Sequence, residues 1–217
     1  MDRFRKQIAY NRSVRNTPIR YIVIHDTGNP SAGADAESHY LYFDNGYRGS
    51  SADIFVDDTS VWYVNDYTKY YTWHCGDGRG RYGITNQNSI GVELCINAGG
   101  NYEKAMRNMA TVVRELMAEL GIPKERVVRH YDASRKNCPG SMSANNWRKW
   151  TEFEKMLVEE EEQPMIYNYI DENMPEWARP AVQWAVDNGI IQGDGNGLAL
   201  NDDKLWLLVV LHRALTK

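Results

Sequence analysis

The chain is 217 residues long, with 25 Lys and Arg against 29 Asp and Glu, a formal net charge of -4 and 42% apolar residues. That length holds one sizeable core, or one domain with a small satellite, and the composition excludes wholesale disorder. The charge is uneven, +1 over residues 1–160 and -5 over 161–217; no broad electropositive face marks a nucleic-acid binder, and no apolar run of about 18 residues marks a membrane span.

Residues 1–10 are charged and lack the apolar stretch of a secretory signal. Residues 19–25, Ile-Arg-Tyr-Ile-Val-Ile-His, read as a strand ending in His25 and a Gly-Asn-Pro turn. Residues 34–43 can form a short helix with Ala36, Tyr40 and Phe43 near one face. Residues 52–56 and 61–64 read as a hairpin across Asp57-Asp58-Thr59-Ser60. A polar, Gly-rich stretch follows over 65–89, carrying Tyr67, Tyr70, Tyr71 and Trp73, a composition suited to a binding loop. Residues 90–96 form the best central-strand candidate and hold Glu93 among apolar neighbours. The clearest helix covers 102–120, with Ala105, Met109, Val112, Val113, Leu116 and Leu120 at spacings of three and four, stopped by Gly121 and Pro123. Val127-Val128 leads into His130, and residues 147–158 form a further helix with Trp150, Phe153 and Leu157 on one stripe. Alternating strands and helices with a hairpin among them indicate an α/β domain over residues 1–160, a mixed central β-sheet flanked by helices. The Glu run at 159–162 with Gln163 and Pro164 reads either as a linker, over 161–172, or as a solvated helix end. Residues 173–217 read as a small helical module: a helix over 175–188 with Trp177, Ala181, Trp184 and Ala185 on one side, a Gly-rich turn, and a last helix capped by Asp202 or Asp203 and running to 215. A module this small is near the limit for a lone core, so docking or self-association is expected.

The three cysteines, Cys75, Cys95 and Cys138, are an odd number at wide spacings, which argues against a paired framework. Cys95 belongs to a buried strand. Cys138 lies in the turn-rich Lys136-Asn137-Cys138-Pro139-Gly140, where a merely buried cysteine is less expected. With His25 and His130 it would make a donor set suited to Zn²⁺, three protein ligands with a fourth position left open, as in catalytic sites. Spacing alone also accommodates a histidine capping a strand end and one at a loop boundary. Asp132 either accepts the free ring N–H of a ligand histidine or is an ordinary turn residue.

The segments Ile22-Val23-Ile24-His25-Asp26-Thr27, Trp73-His74, Gly91-Val92-Glu93-Leu94, and His130-Tyr131-Asp132 with Lys136-Asn137-Cys138-Pro139-Gly140 together resemble the zinc-dependent N-acetylmuramoyl-L-alanine amidases, in the branch of phage lysins, T7-lysozyme-like amidases and peptidoglycan recognition proteins. The resemblance spans roughly residues 15–158. It implies one zinc ion held by His25, His130 and Cys138, and hydrolysis of the amide between N-acetylmuramic acid and L-alanine. Glu93 would then be the general base and acid, the alternative being a glutamate facing water from an edge strand. Lys136 matches the position of a cation that stabilises the oxyanion. The T7-lysozyme-like branch carries a tyrosine near position 52; here Ala52 and Asp53 stand there instead, which by the resemblance gives proton transfer to Glu93. Trp73 and His74 match a cleft-rim motif and would bind substrate, with Thr27 and Asn29, and the tyrosines at 67, 70 and 71, as further lining; the alternatives are core packing for Trp73 and, if the loop folds inward, a metal-side place for His74. The alternative activity is a protein that binds muropeptides without cleaving them.

The C-terminal segments Pro175-Glu176-Trp177-Ala178, Ala181-Val182-Gln183-Trp184-Ala185, residues 188–195 and Leu211-His212-Arg213-Ala214-Leu215 resemble one S-layer-homology-type repeat. This implies binding to a secondary cell-wall polymer, locally through His212, Arg213 and the Gly-rich turn, or a homodimerisation unit. Peptidoglycan of a Gram-positive host is the expected partner. The pairing with an amidase resembles a phage endolysin, held in the host cytoplasm until lysis.

Overall fold

The computed structural model describes residues 1–158 and 165–216. The expected linker falls partly on residues 159–164, outside the described residues. The chain divides into two compact units, Met1–Glu159 and Glu160–Lys217, and each is described by itself.

The first unit is built on a six-stranded mixed sheet. Its strands are β1 (Asp2–Arg5), β3 (Tyr21–Asp26), β4 (Ile54–Val56), β5 (Ser60–Tyr63), β7 (Ser89–Leu94) and β8 (Val127–Arg129), in the order β1-β5-β4-β7-β3-β8. Only the β4–β5 hairpin is antiparallel within it. A separate ribbon pairs β2 (Arg12–Val14) with β6 (Tyr70–Thr72). The helices are α1 (Ala36–Asp44), α2 (Tyr102–Leu120), α3 (His130–Ser134) and α4 (Ala144–Met156).

Side-chain alternation assigns the two faces of this sheet. Ile22, Ile24, Ile90 and Val92 point to one face and pack with Met106, Met109, Val113 and Leu116 of α2 and with Trp150 and Phe153 of α4. The apolar stripe of α2 is the one the spacing predicts, and Gly121 ends it in the left-handed conformation at φ 62°, its N–H on the Met117 carbonyl. The opposite face is covered in two pieces. Ala36, Tyr40 and Phe43 of α1 lie over Phe55 and Trp62. Cys75, Ile84 and Ala133 lie over Val23. Between these covers, the residues of the same face at the ends of the central strands are His25 and Glu93, register partners on β3 and β7. Ligand sites in open α/β sheets form at these carboxyl ends.

Asp57 fastens α1 to the hairpin. Its carboxylate accepts from the backbone N–H of Ala36, the first residue of α1, at 3.0 Å, and from those of Thr59 and Ser60 at 2.7 and 2.6 Å. Burial alone would raise its pKa, but these N–H groups hold it below the usual carboxylate range. Asp57→Ala is expected to cost about 2–3 kcal/mol at pH 7, because several buried donors lose their acceptor. A depressed native pKa contributes stability above the unfolded pKa of about 3.9 and loses it as pH falls through the native value. The difference between wild type and variant in urea unfolding should therefore shrink below about pH 4.

The second unit contains a bridge between Tyr167 and Leu200, then α5 (Arg179–Asp187) and α6 (Asp202–Leu215). Its small core comprises Met174, Ala178, Ala181, Val182, Ala185, Leu205, Leu208 and Val209, among others. The helix read from residue 175 starts later, because Pro175 to Ala178 make a turn and Pro180 belongs to the first helical turn. Trp177 consequently lies outside the helix and is exposed rather than buried with Ala181. The last helix is capped by Asn201, whose side chain accepts from Lys204 N–H, and Asp202 and Asp203 occupy its first turn. No described helix is long and apolar enough to cross a membrane.

Candidate active site

His25 at the end of β3, His130 at the start of α3 and Cys138 in the following loop are all buried, and one donor atom from each lies within 4.8 Å of the others. The parallel register explains the approach. Ile24 pairs with Arg129, so the residues following them, His25 and His130, emerge side by side from adjacent strands. Their rings stand 4.6 Å apart, edge to face. The loop returns Cys138 through a bond from Tyr131 N–H to the Cys138 carbonyl and sets its Sγ 3.6 Å from His25 Nδ1. All three cysteines are free.

The donor set fits a zinc ion on an observation independent of sequence. His130 Nε2 lies 2.7 Å from Asp77 Oδ1, and a carboxylate can only accept. The ring proton therefore sits on Nε2, and Nδ1 is bare, buried and without a hydrogen-bond partner. A buried lone pair beside a thiol and a second imidazole is what a borderline-soft cation uses. Burial pushes the Cys138 thiol up to about 12 and, together with neighbouring His74, His130 and Lys136, holds His25 well below the usual imidazole range.

Asp77, and not Asp132, is the hydrogen-bond partner of His130. Asp132 was the sequence candidate, but its carboxylate is taken by Arg129, accepting from the backbone N–H at 3.0 Å and from the guanidinium at 2.9 and 2.8 Å. Sequence reasoning missed Asp77 because it lies 53 residues from His130 in a Gly-Asp-Gly turn. Its flanking glycine carries the signal: a Cβ on Gly78 would sit 2.1 Å from the Ala133 carbonyl, so only glycine lets this turn approach α3.

Glu93 is 17% exposed, with Oε1 3.9 Å from His25 Nδ1, and its buried Oε2 has no hydrogen-bond partner. It lies in an interior strand between β3 and β4, which removes the edge-strand alternative. Burial and the charge of Asp26 raise its pKa well above the ordinary value, opposed by Lys136. Lys136 is exposed, and its charge also acts on His25, His130 and Cys138. It lines a recess of about 280 Å³ with Trp73, Asp77 and His130. Thr27 and Asn29 line a second recess of about 360 Å³ with His39, Tyr42 and Phe43. The Thr27 hydroxyl is buried without a partner.

Other expectations are revised. Trp73 is half-buried, its indole N–H bonded to Ser13 Oγ at 3.0 Å. His74 borders the Trp73–Lys136 recess but is buried: it is 8% exposed, Nδ1 3.1 Å from His25 Nε2 and Nε2 3.1 Å from Ser89 Oγ. Tyr67 is buried in the main core and its hydroxyl donates to Glu119, away from the cluster. Tyr70 lies beneath Arg12 on the β2–β6 ribbon. Asp53 is fully buried and committed, accepting from Asn65, Thr72 and the Gly91 N–H at 2.7, 2.8 and 2.8 Å. In the second unit the His212 ring lies 5.1 Å from that of Trp184, and Arg213 is exposed.

The sequence profile of the N-acetylmuramoyl-L-alanine amidase family matches residues 15–141, and that of the S-layer homology domain matches residues 170–199. Among curated relatives, the N-acetylmuramoyl-L-alanine amidase CwlH of Bacillus subtilis is 40% identical over 130 residues, covering 60% of this chain and 50% of that protein. The amidase XlyA of the same organism is 41% identical over 123 residues, covering 57% and 40%. The match thus spans about half the length of these relatives or less. The solved catalytic domain of XlyA superposes with a TM-score of 0.65 at 33% identity, over 72% of this chain and 99% of that one. The structure of PlyL gives 0.62 at 30%, over 72% and 97%. The profile takes in β3, the whole of the sheet that follows it and all three buried donors, so the chain belongs to the N-acetylmuramoyl-L-alanine amidase family.

Proposed function

We propose that the chain hydrolyses the amide bond between N-acetylmuramic acid and L-alanine in peptidoglycan, with one zinc ion held by His25, His130 and Cys138. The observation that carries this reading is the buried two-imidazole, one-thiol cluster lying beside a carboxylate whose Oε2 is unpartnered. When bound, zinc lowers the pKa of water and polarises the scissile carbonyl. Glu93 takes a proton from the attacking water and returns it to the L-alanine nitrogen as the C–N bond breaks. Lys136, on the rim of the recess, faces the negative charge that develops on the carbonyl oxygen. Asp77 keeps the His130 proton on Nε2. The Thr27–Asn29 and Trp73–Lys136 recesses give room for the saccharide and peptide sides of the bond. The test is digestion of purified Gram-positive walls: new L-alanine amino groups without new reducing sugars support the reading. Binding of muropeptides with no new ends favours a non-catalytic recognition protein.

The second unit is assigned to a secondary cell-wall polymer, which its S-layer homology match over residues 170–199 supports; His212 and Arg213, beyond that match, are proposed as contacts. Self-association is the alternative, supported by exposed Trp206, Leu207 and Val210 on α6. Residues 1–158 carry every proposed active-site group and an independent core. Expressed alone, they should retain zinc and hydrolyse soluble muropeptides, while losing most co-sedimentation with walls. Equal sedimentation of fragment and full chain would remove wall binding from the second unit.

A further inference from the structure

His74 contacts the proposed zinc ligand His25 from behind, and the hydrogen bonds around it admit one arrangement of protons. Ser89 Oγ lies 2.5 Å from the Thr85 carbonyl, which can only accept, so the hydroxyl proton points there. Ser89 Oγ is then left as an acceptor toward His74 Nε2 at 3.1 Å, and Nε2 carries the His74 proton. His74 Nδ1 is therefore bare and faces His25 Nε2, which must be the donor across 3.1 Å. The consequence falls on the other side of the His25 ring: Nδ1 has no proton, and it is the nitrogen directed at Cys138. His130 has the same polarity, set by Asp77. Two separate networks thus leave Nδ1 bare on both imidazoles, in residues whose donor atoms, one from each, meet that of Cys138 within 4.8 Å.

Gly91 explains how the His74 ring reaches this place. A Cβ at Gly91 would lie 2.6 Å from His74 Cγ and 2.9 Å from Nδ1, distances at which the ring must move. Glycine is costly inside a central strand, and its use in β7 marks a close approach. Gly91 pairs with Val23 and Glu93 with His25, so the residue that seats the ring is two positions along β7 from the one paired with the ligand.

We propose that His74 is a positioning residue: seated on Gly91 and anchored through Ser89 to the Thr85 carbonyl, it fixes His25 in the Nε2–H tautomer and keeps Nδ1 available to the metal. The proposal rests on the reading of His25 as a zinc ligand, and its test separates the two.

The experiment uses the full chain with ring ¹⁵N-labelled histidine and two readouts, the tautomer of His25 by NMR before zinc is added and the zinc affinity by competition with a chromophoric chelator. The wild type should show a protonated Nε2 and a bare Nδ1 on His25. His74→Phe, which keeps the ring volume but removes the acceptor, should give mixed tautomers and weaken zinc by about 10- to 100-fold. His74→Gln offers a carbonyl to His25 and an amide N–H to Ser89, and should recover most of both. Unchanged tautomer and affinity in His74→Phe would overturn the proposal. Should His74→Phe fail to fold by near-UV circular dichroism, Ser89→Ala takes its place; it removes the acceptor that orients His74 and should weaken zinc in the same direction, and wild-type affinity there overturns the proposal equally. A wild type that takes up no zinc defeats the metal reading, while a proton on His25 Nδ1 in that same protein defeats the tautomer lock.

Discussion

Glu93→Gln is expected to lower kcat on a defined muropeptide by about 10²- to 10⁴-fold while KM and zinc content stay near wild type. Glutamine keeps the shape and one acceptor oxygen, so the packing between Phe55 on one neighbouring strand and His25 on the other should survive. What it loses is the ability to take a proton. Glu93 is suited to that task by position: its carboxylate ends the interior strand β7, one oxygen lies 3.9 Å from His25 Nδ1, and the other is buried with no partner to satisfy it. Burial raises its proton affinity, which helps it hold a proton between water attack and departure of the amine. Zinc loss in the variant would make Glu93 a ligand. Wild-type kcat would move proton transfer elsewhere, and the structure narrows the choice. Asp53 is spent on Asn65, Thr72 and the Gly91 N–H, and both nitrogens of His74 are spent on His25 and Ser89. Lys136 would be the group left to test.

The sequence carried the parts of this molecule whose signals are local. Helix α2 was legible because one apolar stripe repeats over five turns and a left-handed glycine ends it. Strands β3 and β7 were legible because they are buried on both faces and read as continuous apolar runs. Strand β1 was not. All four residues of Asp2–Arg5 are exposed, and the segment is a strand because its backbone pairs with β5 at the sheet edge. Charged edge strands carry no hydrophobic pattern to read. His25, His130 and Cys138 were legible through family resemblance, and the structure brings them together; the groups that hydrogen-bond the two histidines were not, because those are contacts between distant segments. Asp132 has the right residue type at the right distance from His130 in sequence, yet the i, i+3 pairing with Arg129 captures it locally. Asp77 and His74 arrive from a loop whose path is fixed by close backbone approaches at Gly78 and Gly91. An isolated glycine inside an apolar strand is itself a sequence signal of such an approach. Gly91 marks a side chain lying over β7, though the sequence does not identify it as that of His74.

Cys138→Ser should leave the full chain folded, with less than about a tenth of an equivalent of zinc after desalting and no measurable wall lysis. Serine is slightly smaller than cysteine and fits the same buried position, 6% exposed, so cavity and overpacking costs are small. The loop does not depend on the sulfur for its path. The Cys138 carbonyl accepts from Tyr131 N–H at 2.9 Å, and its own N–H donates to the Lys136 carbonyl at 2.8 Å; both bonds use the backbone and persist in the variant. On the proposed reading the metal, in contrast, depends on the sulfur twice. Zinc takes thiolate readily, whereas a serine hydroxyl stays protonated at neutral pH and is a weak neutral donor. Removing the thiolate also leaves two neutral imidazoles as the protein ligands, with no negative charge among the three positions to offset the cation. Glu93 lies near enough to His25 to offer a replacement, and this sets the discriminating measurement. Full zinc stoichiometry in Cys138→Ser, lost again in the double variant with Glu93→Gln, would mean that the carboxylate has moved into the coordination sphere. Full stoichiometry in both would mean that Cys138 is not a ligand and that the three buried donors meet for another reason. Circular dichroism and the urea midpoint, taken on the same samples, separate a lost metal from a lost fold.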